Sequence, residues 1–189
     1  MVGAPGRNDG EGGAYIFEES EEGTWSQLTM LNVMSDSALS SVGQGIALGD
    51  GYAFVGIPDL GNGAVAVFKD NDGNYVQEAL IMNPDTAQTM FGNSIDFDGA
   101  NLIVGTFGAN ASAAFIYAKE NDEWVSTATL SYAQLTDRSY YGRRVAINGG
   151  MAFVAAHRLH EMGSVFMYES TEEGWVPAGN LNEIGRAHV

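Results

Sequence analysis

The stretch FGNSIDFDGANLIVG, from Phe91 to Gly105, decides how this chain is read. It opens on an aromatic–glycine pair, alternates through Ile95 and Phe97, turns at Asp98-Gly99 and closes on an apolar run ending in glycine. Alternation with period two predicts a strand. Asp-Gly supplies the positive φ that a tight hairpin needs. The apolar run predicts a second strand covered on both faces. The same succession stands on either side. Gly43, Gly92 and Gly142 follow a bulky residue at spacings of 49 and 50. Ile46 and Leu48, then Val145 and Ile147, repeat the alternation; GDG at 49–51 and NGG at 148–150 repeat the turn; YAFVG at 52–56 and MAFVA at 151–155 repeat the run.

Beyond each run come a glycine-rich loop and a third strand expected to end in an aromatic: Phe17, Phe68, Tyr117 or Tyr168. A polar turn leads to a fourth strand that opens at Trp25, Tyr75, Trp124 or Trp175 and ends near Leu31, Ile81, Leu130 or Leu181. The unit is therefore four short antiparallel strands. It occurs as one partial copy, 1–34, and three full copies, about 43–83, 92–133 and 142–183. Repeated units of this kind predict an all-β propeller with one blade per unit. The aromatic columns are expected between neighbouring blades, because one blade cannot cover its own two faces.

Composition agrees and narrows the partners. Apolar residues make up 45% of the 189, with 25 Gly and only 4 Pro, as many short strands and tight turns require. Eight Lys and Arg, spread along a chain of net charge −16, offer no surface that neutralises phosphate, so neither nucleic acid nor an anionic membrane is an expected partner. Absence of Cys excludes disulfides, thiolate zinc sites and Cys nucleophiles. No run of about 18 apolar residues is present, so no membrane insertion is expected.

Both ends are expected to be cut. Met1-Val2-Gly3 falls in the column of Phe54-Val55-Gly56, so the chain is expected to start inside a strand. IGRAHV, residues 184–189, matches no column and reads as the translation of a common sequencing adapter. We expect it to be a non-native tail, and the fold is read from 1–183.

Phe91-Gly92 forms an "FG", Gly3-Ala4-Pro5 a "GAP", and Gly56-Ile57-Pro58 a variant of the latter; Gly105-Thr106-Phe107 and Ala155-Ala156-His157 depart from it. On these motifs and the aromatic columns, the chain resembles the FG-GAP repeats of integrin-α-type β-propellers over about 1–183. The resemblance implies a larger ring, usually of seven blades, of which about three and a half are present. It implies an extracellular or cell-surface location. It also implies a non-catalytic scaffold that binds or adheres to a protein or glycan through loops on one face. Cut ends would expose two aromatic-rich blade faces and favour self-association.

Many such propellers hold calcium in a hairpin with alternating acidic residues and glycine. Here that hairpin is short. Asp96, Asp98 and Asn101 are its nearest counterpart, and they fall below the six to eight oxygens calcium takes. The chain resembles a calcium-free branch, and no cofactor is expected. In KDNDGN, 69–74, glycine falls between the second and third of Asp70, Asp72 and Asn74, so the segment reads as a polar hairpin tip. EESEEG (18–23), KENDE (119–123) and ESTEEG (169–174) read as solvated turns, or else as a ring of charge for a basic partner. HRLHE, 157–161, has a metal-like His spacing, but it replaces IPDLG of another unit and is a loop.

The candidate ligand loops are 57–62 with Asp59, 106–111 with Asn110, and 156–162 with His157, Arg158 and His160. Asn110-Ala111-Ser112 is also an N-glycosylation sequon. The linkers 32–41 and 82–90 form a second set that need not share a face with the first. Two alternatives stay open. One is a purely structural repeat array without a ligand. The other is a propeller enzyme acting on carbohydrate, with Asp96 or Asp98 as its carboxylates, although no Asp or Glu recurs at a strand start.

Overall fold

The computed structural model describes residues 1–85, 90–108, 112–132, 139–159 and 163–182. Its strands form four antiparallel sheets, each a meander in chain order. The first has three strands, β1 (Val2–Gly3), β2 (Ala14–Glu19) and β3 (Trp25–Leu31). The second holds β4 (Ile46–Gly49), β5 (Tyr52–Ile57), β6 (Ala64–Asn71) and β7 (Asn74–Met82). The third holds β8 (Ser94–Phe97), β9 (Asn101–Gly105), β10 (Ala114–Glu120) and β11 (Glu123–Leu130). The fourth holds β12 (Tyr141–Asn148), β13 (Met151–Ala156), β14 (Ser164–Thr171) and β15 (Gly174–Asn182).

The turns follow from their residues. At Asp50-Gly51, Asp72-Gly73, Asn121-Asp122 and Gly149-Gly150 both central residues have positive φ, the twist that suits a two-residue hairpin. The Asp98 turn is built differently. Only Gly99 is left-handed, and Asp98 Oδ1 accepts the N–H groups of Ala100 and Asn101 at 3.1 and 2.8 Å.

One β-bulge recurs at the same place in all four sheets, beside Phe17, Phe68, Tyr117 and Tyr168. The expectation that the third strand ends at these aromatics is thus corrected: it runs on to Glu19, Asn71, Glu120 or Thr171. The extra residue lies on the fourth strand, at Leu28, Glu78, Thr127 or Ala178. A bulge re-aims its side chain. In the second sheet it points Glu78 at the third, where its carboxylate accepts from Lys119 Nζ at 2.8 Å and from Trp124 Nε1 at 3.2 Å.

The sheets stack in series, and the core is three layers between them. Ala53, Val55 and Ile57 of β5 pack with Ala14, Ile16 and Leu31 of the first sheet. Phe54, alternating with them, packs on the third sheet with Leu102, Val104 and Phe115. That double burial is why the apolar runs are continuous. Ile103 and Ile116 then meet Val154, Phe166 and Tyr168 of the fourth sheet. The Trp column behaves likewise: Tyr75, Trp124 and Trp175 each pack into the layer shared with the preceding sheet. Trp25 has no preceding sheet and is 62% exposed.

The glycine motifs are explained by the same stacking. A Cβ on Gly3 would fall on the carbonyl oxygen of Gly43, one on Gly56 on that of Gly92, and one on Gly105 on that of Gly142. The glycine closing the second strand of one sheet therefore touches the glycine opening the next, three times over. Parallel bridges Gly12–Val42 and Gly63–Phe91 tie the same junctions.

Side chains reinforce the layers. Lys119 Nζ donates to Tyr52 Oη at 2.8 Å as well as to Glu78. Desolvation alone would lower the lysine pKa, but the bonds to Glu78 and Tyr52 outweigh it and leave it raised. A raised folded-state pKa contributes stability that is complete below the unfolded value and disappears as pH rises through the folded one. Wild type is therefore expected to lose stability, relative to Lys119→Met, as pH climbs past about 10.5, the ordinary lysine value. Paired urea melts at pH 8 and pH 11 check this; parallel curves for the two proteins would refute it.

Candidate functional site

The loop after the second strand and the linker into the next sheet, whose relative placement the sequence left open, meet at each junction. Gly13 N–H donates to Val42 O at 2.9 Å, and Phe91 N–H to Asn62 O at 3.3 Å. The residue before each aromatic–glycine position, Ser41, Met90 or Tyr140, is left-handed with φ between 53° and 57°. That conformation costs a non-glycine residue about 1 kcal/mol. At Ser41 and Tyr140 it aims the side chain back at the loop of its own sheet. Ser41 Oγ donates to Asp59 in a short hydrogen bond. Tyr140 stands in the same column and receives Arg158, which lies in the column of Asp59.

At the junction of the third and fourth sheets this geometry gathers aromatic rings and positive charge. Thr106, fully buried, closes the base of its loop by donating from Oγ1 to Ala113 O at 2.9 Å and accepting from Ala113 N–H at 2.8 Å. Phe107 then emerges, 4.9 Å from the Tyr140 ring. His157 stacks on Tyr140 at 5.0 Å and 14°. Arg143 covers Phe107 at 4.8 Å, and Arg158 covers Tyr140 at 4.9 Å, with Nη1 3.4 Å from the phenol oxygen. Arg144 donates from Nη1 to the Arg143 carbonyl at 3.2 Å. All three arginines and His157 are exposed. Desolvation first, then the charges of Arg143, Arg158 and Arg144, hold the His157 pKa below the ordinary imidazole value. The ring is therefore neutral at pH 7.

Of the residues picked from sequence, the structure brings together His157 and Arg158. Asp59 sits at an equivalent junction, bonded to Ser41. His160, Asn110 and Ala111 lie outside the described residues, while Ser112, the last residue of the sequon, donates from Oγ to Gly108 O at 3.2 Å. The hairpin carboxylates are engaged by backbone: Asp96 Oδ1 accepts from Phe97 N–H at 2.9 Å and Oδ2 from Ile147 N–H at 2.8 Å, while Asp98 holds its own turn and Asn101 donates its N–H to it. In KDNDGN, Asp70 accepts from Gly73 N–H at 2.7 Å. Among the described residues, no three His, Asp or Glu side chains converge as a metal-binding set.

Phe107, Tyr140, Arg143 and Arg144 were missed in the sequence. One signal was present: Arg143-Arg144 is the only adjacent basic pair among the eight Lys and Arg. Tyr140 was hidden because it stands before the bulky residue–glycine pair, at a position where the other copies carry the dissimilar Ser41 and Met90. Phe107 stands where the GAP motif has proline.

A scan of protein-family models finds no match to this chain, and no curated protein matches it.

Proposed function

We propose that the chain is an FG-GAP-type β-propeller, an arc of a larger ring, acting as a non-catalytic scaffold that binds a protein or glycan at the cell surface. The observation that carries this reading is the glycine-to-glycine contact repeated at Gly3–Gly43, Gly56–Gly92 and Gly105–Gly142. It gives "FG" and "GAP" one shared purpose, close approach of successive blades. The first strands also lie side by side, as around a channel. Ser94 Oγ of β8 accepts the Val145 N–H of β12 at 3.1 Å, and Gly49 of β4 faces the Phe97 ring. Asp96, the carboxylate an enzyme reading needs, is held by two backbone N–H groups, which favours the non-catalytic role.

The test is binding of the 189-residue chain to arrayed glycans and immobilised surface proteins. Loss of binding on replacing 156–162, with the melting curve unchanged, supports the scaffold. Binding that survives replacement of every junction loop refutes it, and turnover of a bound glycan that is lost in Asp96→Asn would reinstate the enzyme.

The outer faces support self-association of this chain. Val2 and Trp25 on the first sheet are 51% and 62% exposed, and Leu181 on the last is 52% exposed. Met151 and Phe153 alternate with Ala152 and Val154 of the core, so they point away from it. They stand in the columns of Tyr52 and Phe54, which pack on the following sheet. The two outer faces are thus the halves of an interface the chain already makes three times. A second copy is expected to dock head to tail, with sedimentation showing oligomers that Trp25→Glu disperses. A wild-type monomer that persists at high concentration would overturn this.

A further inference from the structure

Three guanidinium groups share one exposed junction in a chain with 24 acidic and only 8 basic Lys and Arg residues. Such a surplus of carboxylates would ordinarily supply counter-charges. Among the described residues, the ion pairs involve Lys119 alone, and no carboxylate lies within ion-pair distance of Arg143, Arg144 or Arg158. Two of the three are also pre-positioned. Arg143 lies over the Phe107 ring and Arg158 over the Tyr140 ring, with Cζ 4.8 and 4.9 Å from the ring centroids, and both side chains stay exposed to solvent. A planar fork of N–H groups matches a carboxylate bidentately.

The rings themselves are occupied. Phe107 carries Arg143 and neighbours Tyr140; Tyr140 carries Arg158 and stacks on His157. The open aromatic face on which a sugar would lie is already covered, so the cluster offers donors rather than a stacking platform.

We infer that the Arg143–Arg144–Arg158 cluster is a binding site for an acidic peptide segment, whose Asp or Glu carboxylates seat on the stacked guanidinium groups. This rests on the scaffold reading and names the partner's chemistry. The overall charge of −16 opposes it only weakly. Fields from distant carboxylates are screened over about 8 Å at physiological salt, whereas the three guanidinium groups act at contact. Neutral His157 adds no counter-charge and sits where a bound carboxylate would raise its proton affinity.

The experiment uses the full 189-residue chain and a fluorescent hexaglutamate peptide, read by anisotropy at two salt concentrations. Saturable binding that weakens with salt is expected. The double variant Arg143→Gln/Arg158→Gln should weaken it about tenfold or more, and Arg7→Gln, on the first sheet, should leave it unchanged. In parallel the His157 ring signal should shift saturably on peptide addition, and its titration midpoint should rise. Absence of saturable binding, equal weakening by Arg7→Gln, or an unmoved His157 signal overturns the assignment. So does preference for a polyuronate over the peptide, which would make the ligand an acidic glycan. If hexaglutamate fails while binding dependent on 156–162 persists in the array assay, the scaffold stands and only the carboxylate assignment falls.

Discussion

Gly56→Val is expected to destabilise the fold severely, by about 3 kcal/mol or more. Overpacking of a core usually costs about 1–3 kcal/mol, because flexible side chains give way. Here the obstacle is the Gly92 carbonyl, a backbone atom at the seam of two sheets. Relief requires moving the sheets apart, which opens a layer holding Phe54, Phe91, Leu102 and Phe115. Total stability of such a domain is about 5–15 kcal/mol, so the loss is a large share. Gly51→Ala is the control. Gly51 has φ +75° but open space around it, and alanine there should cost only the left-handed strain, about 1 kcal/mol. Urea unfolding of both variants separates close approach from conformational freedom. Similar midpoints would show that the seam accommodates a side chain and would remove the main support for the blade reading.

Phe91→Ala is the second large effect, expected at about 3–5 kcal/mol. Phe91 is fully buried between the second and third sheets, edge-on to Phe115 at 5.8 Å and to Tyr117 at 6.1 Å. Its N–H is also bonded across the seam to Asn62 O. Truncation leaves a cavity lined by rigid strands from two sheets, which collapse poorly around it. Trp25→Ala removes a larger ring yet should change stability by no more than about 0.5 kcal/mol, because that ring is mostly in water. Thermal or urea melts in dilute solution check the pair. Equal costs would mean that the aromatic columns do not act through the layers between sheets.

The turn at Asp50-Gly51, the alternating strands and the aromatic columns were legible in the sequence because each depends on neighbours in the chain. Period, turn chemistry and apolar runs are local properties, and fifty-residue repetition displays them several times. The bulge was not legible. Nothing in Gln27-Leu28-Thr29 or Gln77-Glu78-Ala79 differs from an ordinary strand, and the extra residue appears only when the partner strand is laid alongside. Glu78 therefore carried no signal in the sequence, although its carboxylate links two sheets.

The candidate site divides the same way. His157 and Arg158 stood out as charged residues in a loop, and loop position is a chain property. Their partners Phe107, Tyr140, Arg143 and Arg144 come from other segments, up to 51 residues apart. Strand, turn and repeat were written in the local sequence; the seams where only glycine fits emerged once the sheets were stacked. What the tertiary structure alone decided was which loop meets which linker, and so where uncompensated charge collects. Local pattern dictates local backbone; the meeting of side chains from different sheets depends on how those sheets stack.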